Sequence, residues 1–139
     1  MAPDGADRRE LRQIGDVANL VGLSLRTVRH YEDAGLVLPA ARTAGGFRLY
    51  GDEAIGRLRL IMQMKPLGFS LEEMRLLIEA RAALASGAVA ADERRDLEGR
   101  VAMFAAAATE KCDELRASLA VAEAFSDTLA AEVASFDEP

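Results

Sequence analysis

Few residues in this chain are able to do chemistry, and most of them crowd into one stretch. Ser24 to Leu36 reads SLRTVRHYEDAGL and holds His30, the single histidine, between Arg29 and Tyr31. Such a cluster could serve a metal, a reaction or a nucleic acid. A metal at His30 needs partner ligands, and the chain offers no second histidine and one cysteine, Cys112. No metal site and no cofactor are expected. Covalent catalysis needs a nucleophile beside a base. One His, one Cys and no phosphate-cradling glycine loop give no convincing pair, so no catalytic residue is assigned and an enzyme is not expected. Arginines are the group to follow, because a guanidinium forks onto guanine edges or binds phosphate.

The elements that must carry these residues can be read from spacing. Ile14, Val17, Ala18 and Val21 fall at i, i+3, i+4 and i+7, one apolar face of a helix that Gly22 ends. Ser24 is a good N-cap for a second helix, which runs to Ala34 and stops at Gly35. Two short helices around a glycine-containing turn make a helix-turn-helix. On the second helix Arg26, Arg29, His30 and Asp33 share one face, while Val28 is the natural core residue. Such a face fits a helix that reads a DNA major groove, with Thr27 and the first amides near a phosphate and Leu25 against a thymine methyl or sugar. Taken alone it equally fits an ordinary amphipathic helix with a solvated charged side.

Downstream, LVLP and FRLY bracket ARTAGG and predict a β-hairpin, or wing. Asp52 is expected to cap a third helix that ends near Met64, where Pro66 and Gly68 interrupt. Ser70-Leu71-Glu72-Glu73 is a capping box, so a fourth helix starts near Leu71 and ends before SGAVA at 86–90. From Asp92, Leu97, Val101, Phe104, Ala108, Cys112, Leu115, Leu119 and Ala122 follow at intervals of three and four, a heptad stripe with one stutter. A helix over 92–124 would be roughly 50 Å long. Too little chain follows for it to fold back, so the stripe is expected to meet a second copy of itself.

The formal charge of −6 seems wrong for a nucleic-acid binder until its distribution is read. Residues 11–69 hold eight Lys/Arg against five Asp/Glu, a net of +3. Residues 76–139 hold six against thirteen, a net of −7. The opening MAPDGADRRE has no apolar signal core, and no apolar run nears the roughly 20 residues that span a bilayer. A cytoplasmic chain with no membrane partner is expected. It is mainly α, with a loose polar leader at 1–11, a head at 12–85, a linker at 86–91 and a helix with a short tail at 92–134.

Ile14–Pro39 and Arg42–Tyr50 together closely resemble the MerR family of bacterial transcription regulators. The residues that carry the resemblance are Ile14-Gly15-Asp16-Val17-Ala18, Gly22, Ser24, Thr27, Arg29, Tyr31-Glu32, Gly35-Leu36, Pro39, Arg42, Gly46-Phe47-Arg48 and Tyr50. It continues through Lys65 to Glu73, similar to the family's second helix pair. The resemblance implies a winged helix-turn-helix DNA-binding domain followed by a long antiparallel coiled-coil helix. It implies a homodimer on inverted-repeat, double-stranded promoter DNA. Such a dimer bends and untwists the spacer, and reaches RNA polymerase only indirectly through promoter shape. By the same resemblance Ser24, Leu25, Arg26, Thr27, Arg29 and His30 lie where the reading helix meets DNA. Tyr31 and Lys65 look like phosphate contacts, and Arg42, Phe47 and Arg48 sit on the wing. Phe47 stands where a tyrosine is common, which leaves packing without a hydroxyl. Arg57 and Arg59 read better as a solvated helix face.

Sensing relatives use cysteines at the end of the coiled coil, or a large C-terminal domain. The ending FSDTLAAEVASFDEP has neither Cys nor His. Cys112 falls in the apolar stripe, where a small core residue fits better than a sensor thiol. Met62, Met64, Met74 and Met103 could line a small pocket beside the fourth helix, though methionines at helical spacing more often pack as core. Two alternatives accompany the regulator reading. One is an architectural or effector-independent DNA binder or repressor; the other is a thiol- or metal-responsive sensor through Cys112.

Overall fold

The computed structural model describes residues 11–138. Its elements are β1 (Arg12–Gln13), α1 (Ile14–Val21), α2 (Leu25–Asp33), β2 (Ala41–Arg42), β3 (Arg48–Tyr50), α3 (Asp52–Met64), a 3₁₀ turn at Lys65–Leu67, α4 (Leu71–Ser86) and α5 (Ala91–Phe136). The leader expected at 1–11 lies outside the described residues, apart from Leu11.

Local rules explain most of these boundaries. Gly22 turns left-handed (φ +76) and its amide donates to the Ala18 carbonyl, which closes α1. Gly35 (φ +77) closes α2 in a Schellman arrangement, in which the Leu36 amide donates to the Tyr31 carbonyl and the Gly35 amide to the Glu32 carbonyl. Leu36 and Tyr31, the apolar pair of that motif, are both buried. The Ser70 capping box is complete in both directions, with Glu73 reaching back to the Ser70 amide. That amide holds the Glu73 carboxyl below its ordinary value.

The sheet has the order β1-β3-β2, all antiparallel, with Arg12 opposite Tyr50 and Arg42 opposite Arg48. Here the expected hairpin shifts. Its first strand is Ala41–Arg42 rather than LVLP, because Leu36 and Val37 are drawn into the core at 1% and 0% exposure. Pro39 has no amide to give a ladder. The two-residue β1 is too short to show an alternation in the sequence. Gly51, not Asp52, is the N-cap of α3; it makes no side-chain cap, and Asp52 begins the helix. One apolar cluster joins Val17, Val28, Tyr31, Leu36, Tyr50, Leu58, Ile61 and Met74, so both helix pairs and the sheet share a single core.

α5 holds 46 residues, about 69 Å at 1.5 Å per residue. It starts at Ala91 and remains helical to Phe136, so the segment expected to be tail is helix. Its stripe divides. Leu97 is buried, Val101 and Phe104 pack on the core of the head, and Ala108 and Cys112 are half-buried. Phe104 meets Phe69, ring centres 5.8 Å apart. Leu115, Leu119 and Ala122 are exposed. The first half of the expected dimer stripe is thus covered by its own chain.

Candidate nucleic-acid interface

α2 is set by its cap and its one buried edge. Ser24 Oγ accepts from the Thr27 amide at 3.1 Å and lies 2.9 Å from Thr27 Oγ1. Val28 is fully buried and Tyr31 nearly so. Anchoring that edge leaves Arg26, Arg29, His30 and Asp33 exposed, with Leu25 at 43%.

Two clefts flank the exposed face. One, of about 430 Å³, lies between α2 and the turn before α4; its walls include Arg26, Thr27, His30, Tyr31 and Lys65. Tyr31 enters it as a wall whose ring belongs to the core, and His30 stands 5.4 Å from that ring, tilted by 52°. The other, of about 220 Å³, lies between α2 and the wing and gathers Arg29, Gly46, Phe47 and Arg48. The wing tip is held by the Thr43 amide donating to the Phe47 carbonyl and by Thr43 Oγ1 accepting from the Phe47 amide. Phe47 is left 65% exposed. Arg42 is exposed on the outer strand, beside Arg48 in the ladder. Arg26, Thr27, His30, Tyr31 and Lys65 thus line one cleft and Arg29, Phe47 and Arg48 the other, while Ser24, Leu25 and Arg42 lie outside both and Tyr31 is largely buried; the single-chain stripe expected to dimerise does not behave as one surface.

Glu32 is the residue the motif contained without a role. Its side chain is only 9% exposed and takes both Arg48 Nη1 and the Tyr50 hydroxyl. A carboxylate on α2 thus fastens that helix to the wing strand β3. Burial, and then the bond to Glu32, push the Tyr50 phenol up to about 12. The pairing also removes one positive charge from the face, so Arg26, Arg29, Arg42 and Lys65 dominate its field. Only a contact between residues 16 and 18 apart could reveal this, and no local pattern carries it.

Two expectations are corrected. Arg57 is not on a solvated face; its side chain is 20% exposed, binds Glu53 at 2.9 Å and donates to the Leu36 carbonyl at 3.5 Å. The four methionines do not line one pocket. Met64 borders an apolar groove of about 280 Å³ with Leu60, Phe69, Val101 and Phe104. Met74 lies under the α2 cleft, and Met103 is 73% exposed. A second groove of about 610 Å³ runs between α3, α4 and α5 past Leu60, Ile78, Ala82 and Val101. Among the described residues no three His, Cys, Asp or Glu side chains gather as a metal would need, and no helix is long and apolar enough to cross a membrane.

The sequence profile described as MerR HTH family regulatory protein matches residues 12–81, and the MerR DNA-binding profile matches 55–131. Nodulation protein NolA of Bradyrhizobium sp. (strain NC92) is 38% identical over 78% of this chain and 44% of its own length. HTH-type transcriptional regulator HmrR of Sinorhizobium medicae (strain WSM419) is 37% identical over 64% of each. The chain thus spans less than two thirds of either relative. HiNmlR, a MerR family regulator lacking the sensor domain, solved bound to promoter DNA, superimposes with a TM-score of 0.60 at 21% identity, over 91% of this chain and 90% of that one. PbrR691 of Ralstonia metallidurans CH34, solved in complex with lead(II), gives 0.51 at 29% identity over 84% of both.

Proposed function

Since the chain belongs to the MerR family of helix-turn-helix regulatory proteins, which are DNA-binding transcription regulators and not enzymes, we propose that it is a homodimer that binds inverted-repeat promoter DNA and acts by bending and untwisting the spacer. The observation that carries the reading is the exposed face of α2, bordered by Lys65 on one side and the wing on the other. Arg26 and Arg29 would enter the major groove and read base edges or hold phosphate. Ser24 and Thr27 would sit near phosphate at the helix start, with Leu25 against base methyls or sugar. Lys65, Tyr31, Arg42 and the exposed Phe47 would track the backbone on either side. Arg48 would brace the wing through Glu32, and His30 would pack beside the backbone.

Charge supports the antiparallel pairing of α5. Beyond Arg116 the chain carries Glu123, Asp127, Glu132, Asp137 and Glu138 and no base, whereas earlier in the helix bases and acids alternate, as in Arg94, Arg95 and Arg100 among Asp92, Glu93, Asp96 and Glu98. Antiparallel copies set the acidic end of one beside a mixed-charge stretch of the other; parallel copies would set acid against acid. Leu115, Leu119, Phe125, Leu129, Val133 and Phe136, all exposed in one chain, would bury against the second copy, with Ala122 between them. The two heads would then face half-sites on the same side of a duplex.

Footprinting of genomic fragments selected by the purified protein tests the reading. Protection of an inverted repeat that weakens steeply with salt is expected. Absence of any salt-sensitive, sequence-selective binding overturns it. Transcription in vitro separates a regulator from an architectural binder, which would bend the fragment and leave promoter output unchanged.

A further inference from the structure

The exit of α2 is gripped from outside. Arg75 of α4 donates through Nη2 to the Ala34 carbonyl at 2.6 Å, and Arg57 of α3 donates to the Leu36 carbonyl at 3.5 Å. Ala34 is the C-cap of α2, and Gly35, with its positive φ, stands between the two acceptors. Both guanidinium groups therefore lie at the negative end of the helix, Arg75 on the C-cap carbonyl that the helix leaves without a donor and Arg57 on a carbonyl of the turn that follows. Each is steadied on its own helix, Arg57 by Glu53 at 2.9 Å and Arg75 by Glu72 at 3.5 Å. Arg75 Nε is buried with no hydrogen bond, since Glu72 is outside bonding geometry.

The grip matters because of what it joins. α2 packs mainly on α1, and α4 packs mainly on α5. Apolar contacts between these parts are non-directional. The two guanidinium–carbonyl bonds are directional, and they tie the reading helix to the helices that root α5. We propose that Arg75, supported by Arg57, is a positioning residue that fixes the separation of the two reading helices and so the spacer length that the dimer accepts. This rests on the dimeric DNA-binding reading above. In a two-fold dimer the same joint occurs twice along the path from one α2 to the other, so slack in it is doubled in the half-site separation, which is a geometric constraint on the DNA.

The test uses the full-chain dimer and duplexes built on the selected inverted repeat, with the spacer lengthened or shortened in single base-pair steps, beside a duplex with one half-site. Wild type should prefer one spacer sharply. Arg75→Ala should keep its half-site affinity within about twofold, while the preference for the best spacer over its neighbours falls by about tenfold, the size of one charge-assisted hydrogen bond. Arg75→Lys, which keeps a donor and the charge, should restore part of the preference. An unchanged spacer profile overturns the proposal, and so does a half-site affinity that falls as far as the full-site affinity, since that marks a local stabilising role. Should Arg75→Ala not fold, judged by its helical circular dichroism, Arg57→Gln carries the same expectation at smaller size and the same refuting outcomes. Failure of wild type to bind any of these duplexes overturns the parent reading as well, whereas normal binding with an unaltered spacer profile removes this inference alone.

Discussion

Leu97 and Leu119 are the same residue type on the same stripe of the same helix, and their surroundings are opposite. Leu97 is 8% exposed beneath its own head, and Leu119 is 56% exposed beyond it. Periodicity states that a face will be covered; it does not state by what. The first half of α5 completes an intramolecular core with α4 and Phe69, and the second half leaves Phe125, Leu129, Val133 and Phe136 open. A similar contrast separates two arginines of the proposed DNA face. Both are exposed, but Arg48 is held by Glu32 and Arg29 has no ion pair among the described residues. Groups already engaged within the chain should report on stability, and open ones on partners.

The sharpest way to break this comparison is to charge the open half. Leu119→Asp with Leu129→Asp should dissociate the dimer in analytical ultracentrifugation and lower affinity for a full inverted repeat by about 10²-fold or more, the loss of linked half-sites. The heads should keep their melting transition. Loss of that transition would mean that the second half is folded core after all. On the covered half, Leu97→Ala should cost about 2–4 kcal/mol in urea unfolding through a cavity, at unchanged association once folded.

Among the arginines, Arg29→Ala should weaken DNA binding by about 1–3 kcal/mol and relax sequence choice if it forks onto a base. If it holds phosphate, the loss should be uniform across sequences and the salt slope should fall by about one. No change in either would remove α2 as the reading helix. Glu32→Ala should destabilise the head by about 1–2 kcal/mol, because the Tyr50 hydroxyl loses its acceptor; the exposed side of Arg48 limits the ionic part. An unfolding free energy equal to wild type would show the wing link to be idle.

The smallest effect is confined to alkali. The Tyr50 phenol is raised from 10.0 to about 12 in the folded chain. A raised folded value adds stability that is complete below pH 10.0 and is lost as pH climbs toward about 12. Tyr50→Phe should therefore flatten the pH dependence of unfolding in that window and nowhere below it. A slope that persists in the variant would assign it to another group.

Features legible in the sequence were those with local causes. Ser24 and Ser70 cap, and Gly22 and Gly35 turn left-handed, because each answers to atoms a few residues away. The exposed Arg26 and Arg29 follow from the same helix phase that buries Val28. What escaped depended on distance along the chain. The wing strand moved to Ala41–Arg42 because the core took Leu36 and Val37. Arg57 left solvent for a carbonyl 21 residues back, and Arg75 reached one 41 residues back. The division of the α5 stripe depends on the length of the head it lies against, which no heptad records.

α5 is also a lever. Rooted on α4 at one end and about 69 Å long, it turns a tilt of about 5° at the root into a displacement of about 6 Å at the tip. That exceeds the roughly 3.4 Å rise per base pair along the duplex axis. The apolar groove past Leu60, Ile78 and Val101 lies at the fulcrum. In the proposed dimer, a shift of packing there too slight to alter either head would be geared up, along the rod, into a displacement at its far end of more than one base-pair rise.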